Sequence, residues 1–388
     1  MSFYIDPSFF VLLVPLFAGA AFLGLRERSL RRYGFVTSLL MLGLLFARTP
    51  AQAAYAAGYL ALVAATSQWL LRDPGSNPRF RASLAVVIAP LVVCKVSGVF
   101  GADLMGFVGI SYLTFRAVQV LVETHDGLVA SLSVLDHLYF LTFFPTFVSG
   151  PIDRSRRFVQ DVRRILPRDE YAGLLAKGIL LVLLGMVYKI VLAALAKRYY
   201  IPVPLLAPAG DIWWRLLIQL KICGAYGLYL FFDFAGYSLM AQGISYVLGV
   251  RTPRNFRAPF LATSMADFWR RWHITLSSWL RDFVFMRLAR RLMRRHRTLG
   301  RLRASQLALV ANMLLMGLWH GITVNYVLYG LFHGVILALE RSWEKTSLFK
   351  RCRYQAWYRL CSWAVTMMLV FVSLALFSGQ VSLLVRGA

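Results

Sequence analysis

Residues 172–196 read AGLLAKGILLVLLGMVYKIVLAALA, a run without one acidic side chain. At 1.5 Å of rise per residue, such a run crosses the roughly 30 Å hydrocarbon core of a bilayer as a single helix. A helix also satisfies its own backbone N–H and C=O groups where no water reaches. Comparable apolar runs lie near 8–25, 34–48, 52–71, 83–100, 105–122, 132–149, 212–232, 235–250, 305–319, 321–340 and 360–385. Several are short or broken. The pattern predicts an all-α polytopic membrane protein of about 11 spanning helices, with some segments re-entrant or lying at the interface. No internal repeat stands out and no Gly/Ser linker divides the chain, so 1–388 reads as a single domain.

Composition points the same way. The 388 residues are 59% hydrophobic and include 28 Phe, 18 Tyr and 10 Trp, more apolar than a typical soluble domain. Lys plus Arg number 43 against 17 Asp plus Glu, a formal charge of +26. The excess sits in short runs between apolar segments, at Arg26–Arg32, Arg154–Arg164, Arg251–Arg257 and Arg281–Arg303. Cytoplasmic loops have this placement under the positive-inside bias. No nucleic-acid-binding motif accompanies the charge, so nucleic acid is not an expected partner. Cys94, Cys223, Cys352 and Cys361 form no CxxC pair and have no His at zinc-site spacing. They read as small apolar residues in or beside membrane helices, with no structural metal.

The opening MSFYIDPSFF holds no Lys or Arg, unlike a secretory signal. The first basic run, RERSLRR (26–32), follows the first apolar segment, so that helix reads as uncleaved with its N-terminus outside. RTPAQ (48–52) is then outside and RDPGSNPRFR (72–81) inside. The alternation fails between 150–170 and 251–303, both basic. Irregular backbone at membrane depth, enclosed by protein, accounts for this. Within the second stretch, 281–303 holds nine Arg and one Asp, with Val284, Leu288 and Leu292 at helical spacing. It predicts a basic amphipathic helix on the cytoplasmic side. Such a helix suits either anionic lipid or an acidic partner protein held by Arg287, Arg290, Arg291, Arg294 and Arg297.

No GxSxG, HExxH, Walker A or GxGxxG motif occurs, so serine-hydrolase, metal and nucleotide chemistry lack their usual signals. Histidine remains. His320, in MGLWHGITVNY, lies within or at the end of an apolar helix, where an ionisable side chain is functional by default. Its bland alternative is a neutral ring hydrogen-bonded between helices. His273, in DFWRRWHITLSSW, is either functional or part of an interfacial aromatic belt. His333, in GLFHGV, reads as helix packing beside glycine; His125, His137 and His296 have no supporting context. A neutral imidazole takes a proton from a hydroxyl near working pH. Asp233 in FFDFAGYS pairs with an Arg or lines the core. Asp153, Arg154 and Arg157 form a loop salt bridge or a partner contact, and Glu123 and Asp126 read as a polar turn at a helix end.

Four blocks bring these residues into a known pattern: FFPTFVSGPIDRSRRF (143–158), FFDFAGYSLMAQGISYVLG (231–249), NFRAPFLATSMADFWRRWHITLSSWLRDFVF (255–285) and MGLWHGITVNYVLYGLFHG (316–334). In this order, covering about 140–340, they resemble the membrane-bound O-acyltransferase family, and within it the D-alanyl-transferring branch. WxxWH ending at His273, followed by WHG at 319–321, is the most specific part. The N-terminal third is less distinctive. The resemblance implies a ring-like bundle of membrane helices around a thin core with a funnel or tunnel, in the cell membrane. It implies His320 as the catalytic His and His273 as the second signature position.

For the D-alanine branch the resemblance further implies a donor thioester on the phosphopantetheine arm of a small acidic carrier protein, with no cofactor bound to the chain itself. The carrier would dock on the cytoplasmic Arg segment. The acceptor, an envelope glycan such as a teichoic acid or a membrane-anchored relay protein, would approach from outside. His320 then serves as general base on the acceptor hydroxyl. Asn312, Trp319, Trp272 and His273 are candidate donors to the oxyanion, and Ser277 a further candidate substrate contact. Two alternatives stand beside this: acetyl transfer from acetyl-CoA to a polysaccharide, as in alginate acetylation, and a transporter or flippase of an acylated carrier. The latter requires matching halves with broken helices, which the sequence does not display.

Overall fold

The computed structural model describes residues 3–102, 104–200, 212–295 and 299–379. Among them the regular structure is helical throughout and no strand occurs. The helices are α1 (Pro7–Gly24), α2 (Arg31–Phe46), α3 (Pro50–Leu71), α4 (Asn77–Val99), α5 (Ile110–His125), α6 (Val134–Thr142), α7 (Ser155–Arg163) and α8 (Arg168–Met186). There follow α9 (Ala193–Tyr199), α10 (Ile212–Val247), α11 (Met265–Arg271), α12 (Ile274–Leu280) and α13 (Met286–Arg295). The last are α14 (Arg301–His320), α15 (Val324–Trp343), α16 (Ser347–Cys352) and α17 (Ala356–Phe377). A π-helical turn, Val187–Leu192, carries α8 into α9. Among the described residues five helical stretches are long and apolar enough to cross a membrane: α1, α4, Arg168–Tyr199, α14 and α17.

Local chemistry sets where these helices begin. The Asp6 carboxylate accepts from Ser8 N–H at 3.0 Å, and Pro7 follows it as the first helical residue. Ser76 and Ser264 accept in the same way from Arg79 N–H and Asp267 N–H at 3.4 and 3.0 Å. Each satisfies one of the orphan donors at a helix start.

The chain divides into two units, Met1–Met186 with Gly236–Arg254, and Val187–Ala235 with Asn255–Ala388. The first is organised on α5, which is buried almost along its whole length although it carries Arg116, Gln119 and Glu123. The run 132–149, read from sequence as one span, is broken here: α6 stops at Thr142 and a 3₁₀ turn, Phe144–Thr146, follows. The break frees carbonyls at depth. Arg116, 2% exposed, donates to Phe140 O at 2.7 Å, Leu141 O at 3.0 Å and Thr146 O at 2.6 Å, and also to the Thr146 hydroxyl. One guanidinium thus replaces the lost helical ladder. Glu123 is not part of an exposed turn: it is buried and accepts from the Ser155 hydroxyl at the start of α7. Asp153 is likewise buried and pairs with Arg157. Asp136 accepts from both Arg31 and Arg163, at 2.6 and 2.8 Å, tying α2 and α7 to α6.

Two further expectations are corrected. The runs 212–232 and 235–250 are not separate; α10 is one helix of 36 residues. Asp233 does not interrupt it, because Lys189 of the π turn donates to its carboxylate at 2.5 Å, so its partner is a lysine and not an arginine. The basic segment 281–303 is not one helix either. It opens with a π turn at Arg281–Phe285 and continues as α13 to Arg295. Arg301 and Arg303 belong to the first turn of α14.

In the second unit, α14 and α15 form an antiparallel hairpin through two small-residue motifs, GLWHG (317–321) and GLFHG (330–334). A Cβ on Gly317 would lie 2.2 Å from Tyr326 O, and one on Gly330 would lie 2.6 Å from Met313 O. Backbone touches backbone there, as at GxxxG crossings in membranes.

Two outcomes follow from this packing. Arg116→Met leaves three buried carbonyls without a donor, each worth about 1–3 kcal/mol; thermal unfolding in detergent should show a large loss, and Arg116→Lys should recover part of it. Gly330→Ile should wedge α15 from α14 and lower both the thermal midpoint and enzymatic activity. Gly58→Ala, on α3 with nothing within 4 Å of its Cβ, should leave both unchanged.

Candidate active site

α14 ends on His320, and Gly321 leaves the helical region at φ 177° and ψ 161°. The last turn of α14 therefore faces the first turns of α15. The half-buried His320 ring lies 4.6 Å from Trp319 and 4.9 Å from Phe377, edge-on to both, and nearly parallel to Tyr326 at 5.9 Å. An aromatic collar around an imidazole at the end of a spanning helix orients the ring and lowers the local dielectric.

His273 arrives by another route. Between Arg251 and Met265 the chain is almost without helix. It re-enters regular structure through two short helices, α11 and α12, with His273 between them in the left-handed region at φ 43° and ψ 50°. For a side chain other than glycine this costs roughly 1–2 kcal/mol, and such strain concentrates at functional sites. The side chain of Asn255 holds the corner. Its Oδ1 accepts from Thr275 Oγ1 at 2.7 Å and Thr275 N–H at 3.3 Å, and lies 3.1 Å from His273 Nδ1. Asn255 C=O accepts from Ile274 N–H at 2.9 Å. The His273 ring is 4% exposed and meets the edge of Phe234 at 4.7 Å. Burial first, and the neighbouring His320 second, push its pKa down to about 3. The two signature histidines, distant in sequence, are thus electrostatic neighbours, and His273 is neutral at working pH.

The other expected site residues fall into two groups. Trp272 is buried beside His273, stacked on Phe268 and edge-on to Phe256; Trp319 adjoins His320. Asn312 lies eight residues before His320, about 12 Å along the helix, too far for a group bonded to His320 to reach it directly. With Ser277 it lines a cavity of about 610 Å³, bordered also by Arg257, Arg271, Arg281 and Glu340. Asn312 is 6% exposed and its Oδ1 has no hydrogen-bond partner among the described residues. The Ser277 hydroxyl donates to Trp272 O and His273 O at 3.3 and 3.2 Å, so it also braces the α12 corner.

On α13, Arg290, Arg291 and Arg294 are exposed and Arg287 is half-buried; Arg297 lies outside the described residues. His333 packs among the glycines of the hairpin, fully buried, its Nδ1 accepting from Trp269 Nε1–H at 3.2 Å. Sequence reading passed over Asn255, Phe234 and Phe377. The first adjoins a block whose Trp and His draw attention; the other two are unremarkable apolar residues until the fold sets them on the histidines.

The sequence is similar to known proteins. The family described as MBOAT, membrane-bound O-acyltransferase family, matches residues 49–380. The chain is 33% identical to the teichoic acid D-alanyltransferase of Bacillus subtilis (strain 168), over 98% of both chains. It is 38% identical to the protein of the same description from Streptococcus thermophilus, over 76% of this chain and 74% of that one. A probable alginate O-acetylase of Pseudomonas aeruginosa is 33% identical, over 61% of this chain and 42% of its own. Spanning helices, paired histidines and matched sequence converge: the chain belongs to the membrane-bound O-acyltransferase family and is an acyltransferase of the membrane.

Proposed function

We propose that the protein transfers D-alanine from a carrier-protein thioester to a hydroxyl of a cell-envelope acceptor, of the teichoic acid kind, with His320 as general base. The observation that carries this reading is the placement of the two histidines relative to the basic cavity. His320 closes one end of α14, while the cavity lies toward the other end, where Arg301, Arg303, Arg341 and Lys345 gather. Positive charge marks the cytoplasmic side. A flexible thioester arm entering there would pass Asn312 and Ser277 before its carbonyl meets the histidines, while the acceptor approaches from the opposite end. Asn312 then contacts the arm, and the oxyanion donors are sought closer to the ring, at Trp319, Trp272 and His273.

The chemistry proceeds in one addition and one elimination. A ring nitrogen of His320 takes the proton of the acceptor hydroxyl as the oxygen attacks the thioester carbon, contributing about 10²–10⁴-fold. The carbonyl oxygen becomes an oxyanion, stabilised by fixed donors. The C–S bond then breaks, the C–O ester remains, and the thiolate recovers the proton from the His320 imidazolium. A thiol with a pKa near about 8.5 is a good leaving group. The aromatic collar excludes water and so limits hydrolysis of the donor.

End-to-end similarity to D-alanyltransferases favours this donor over acetyl-CoA, since the alginate acetylase match covers under half of that relative. The reading includes about 11 spanning segments and a tunnel through a thin core, the exposed face of α13 as the carrier dock, and a relay protein or glycan as the immediate acceptor.

Two experiments test it. Radiolabelled D-alanine on a loaded acidic carrier should pass to membranes containing the wild-type protein, and His320→Ala should lower the rate by about 10²–10⁴-fold. Full transfer by His320→Ala would remove the base from the mechanism, and acetyl transfer from acetyl-CoA in place of D-alanyl transfer would move the protein to polysaccharide acetylation. Arg290→Glu with Arg294→Glu should raise KM for the carrier and flatten its salt dependence, with kcat little changed. Unchanged carrier kinetics would leave α13 to the lipid surface.

A further inference from the structure

The carboxamide of Asn255 bonds in a way that allows one reading of His273. Oδ1 accepts from the backbone N–H of Thr275, which can only donate, so the atom facing His273 at 3.1 Å is an acceptor. His273 Nδ1 must therefore donate to it. Which ring nitrogen carries the proton is set by the bond the other one makes, and here the pattern assigns the hydrogen to Nδ1 and the lone pair to Nε2. His333 provides the contrast within the same unit. Its Nδ1 accepts from the indole N–H of Trp269, also a donor only, so its hydrogen sits on Nε2. Two buried histidines are fixed in opposite tautomers by partners that work in one direction each.

We infer that Asn255 is a positioning residue for the acyl transfer: it locks His273 as the Nδ1–H tautomer and so keeps the Nε2 lone pair open as a hydrogen-bond acceptor. The inference rests on the reading of His320 as the base and adds what that base requires. When His320 takes the acceptor proton it becomes a cation in a dry site. A neighbouring ring with a fixed lone pair stabilises that cation, whereas the other tautomer would point an N–H at it. The left-handed corner at His273, braced by Ile274 N–H on Asn255 C=O and by Thr275 on Oδ1, keeps the ring from turning. Among the described residues, the groups that act on the ring are Asn255, the apolar Phe234 and the titratable His320.

The test compares Asn255→Asp and Asn255→Leu with wild type, His320→Ala and His273→Ala in the carrier-to-membrane transfer assay across pH. Aspartate keeps every acceptor contact of Oδ1 and adds a charge that favours the imidazolium. Burying the added charge should lower the thermal midpoint in detergent, while the contacts of Oδ1 are kept. The tautomer itself is read by 15N NMR of the His-labelled protein: His273 should carry its hydrogen on Nδ1 in the wild type and in Asn255→Asp. Leucine removes the acceptor, and kcat should fall roughly tenfold or more with KM for the carrier unchanged. If the leucine variant does not fold, the wild-type spectrum decides alone. A His273 ring with its hydrogen on Nε2 in the wild type overturns the inference, whatever leucine does. An inactive His320→Ala beside Asn255 variants of wild-type rate and profile sinks this inference and spares the base. An active His320→Ala sinks the base reading itself.

Discussion

Backbone that leaves the helix inside hydrocarbon must find its hydrogen-bond partners within the protein, because neither lipid nor bulk water supplies them. At two breaks in the helices of this fold a polar residue from elsewhere takes over the bonding. Arg116 does so for the carbonyls of 140–146. Asn255 does so for the N–H groups of 274–275. The first device uses five fixed donors where carbonyls are exposed; the second uses a carbonyl and an amide oxygen where N–H groups are. The corner at His273 is thus a structural repair that also orients an imidazole.

The hairpin of α14 and α15 shows how position decides what a histidine does. GLWHG and GLFHG place a His in the same slot of a small-residue motif. His320 ends its helix, so its ring projects beyond the crossing into an aromatic collar and stays partly accessible. His333 sits mid-helix, where the close approach of the two backbones encloses it fully and Trp269 occupies one nitrogen. The glycines bring the helices together, and the helix terminus determines which of the two rings stays accessible.

Much of this was legible in the sequence. The helical class follows from the length and apolarity of the runs, and the two signature histidines stand out by their Trp-rich context. What stayed hidden shares one physical cause: a charge or a break compensated by a distant residue. Asp233 looks like an interruption of α10 until Lys189, in another helix, neutralises it. The run 132–149 looks like a span until Arg116 makes a broken one affordable. Glu123 looks like a surface turn until Ser155 is placed against it. Asn255 is a polar residue in a loop until the left-handed turn at His273 brings Thr275 and the ring onto its side chain. Hydropathy windows report the local chain, and each of these partners is 24 or more residues away except Asn255, whose contacts span 18 and 20.

In the proposed mechanism the chemistry is built on neutral rings. A charged side chain at that depth is expensive, and a second one of the same sign more so. Burial and the His320 neighbour both hold His273 without its extra proton. In the proposed mechanism His320 then accepts the proton of a hydroxyl while His273 stays neutral. A carboxylate in place of His273 would stabilise the imidazolium more strongly. It would also protonate His320 before the substrate arrived, and the base would be spent. A neutral ring of fixed tautomer gives stabilisation only once the charge forms, which is the condition for speeding the reaction instead of binding its starting state.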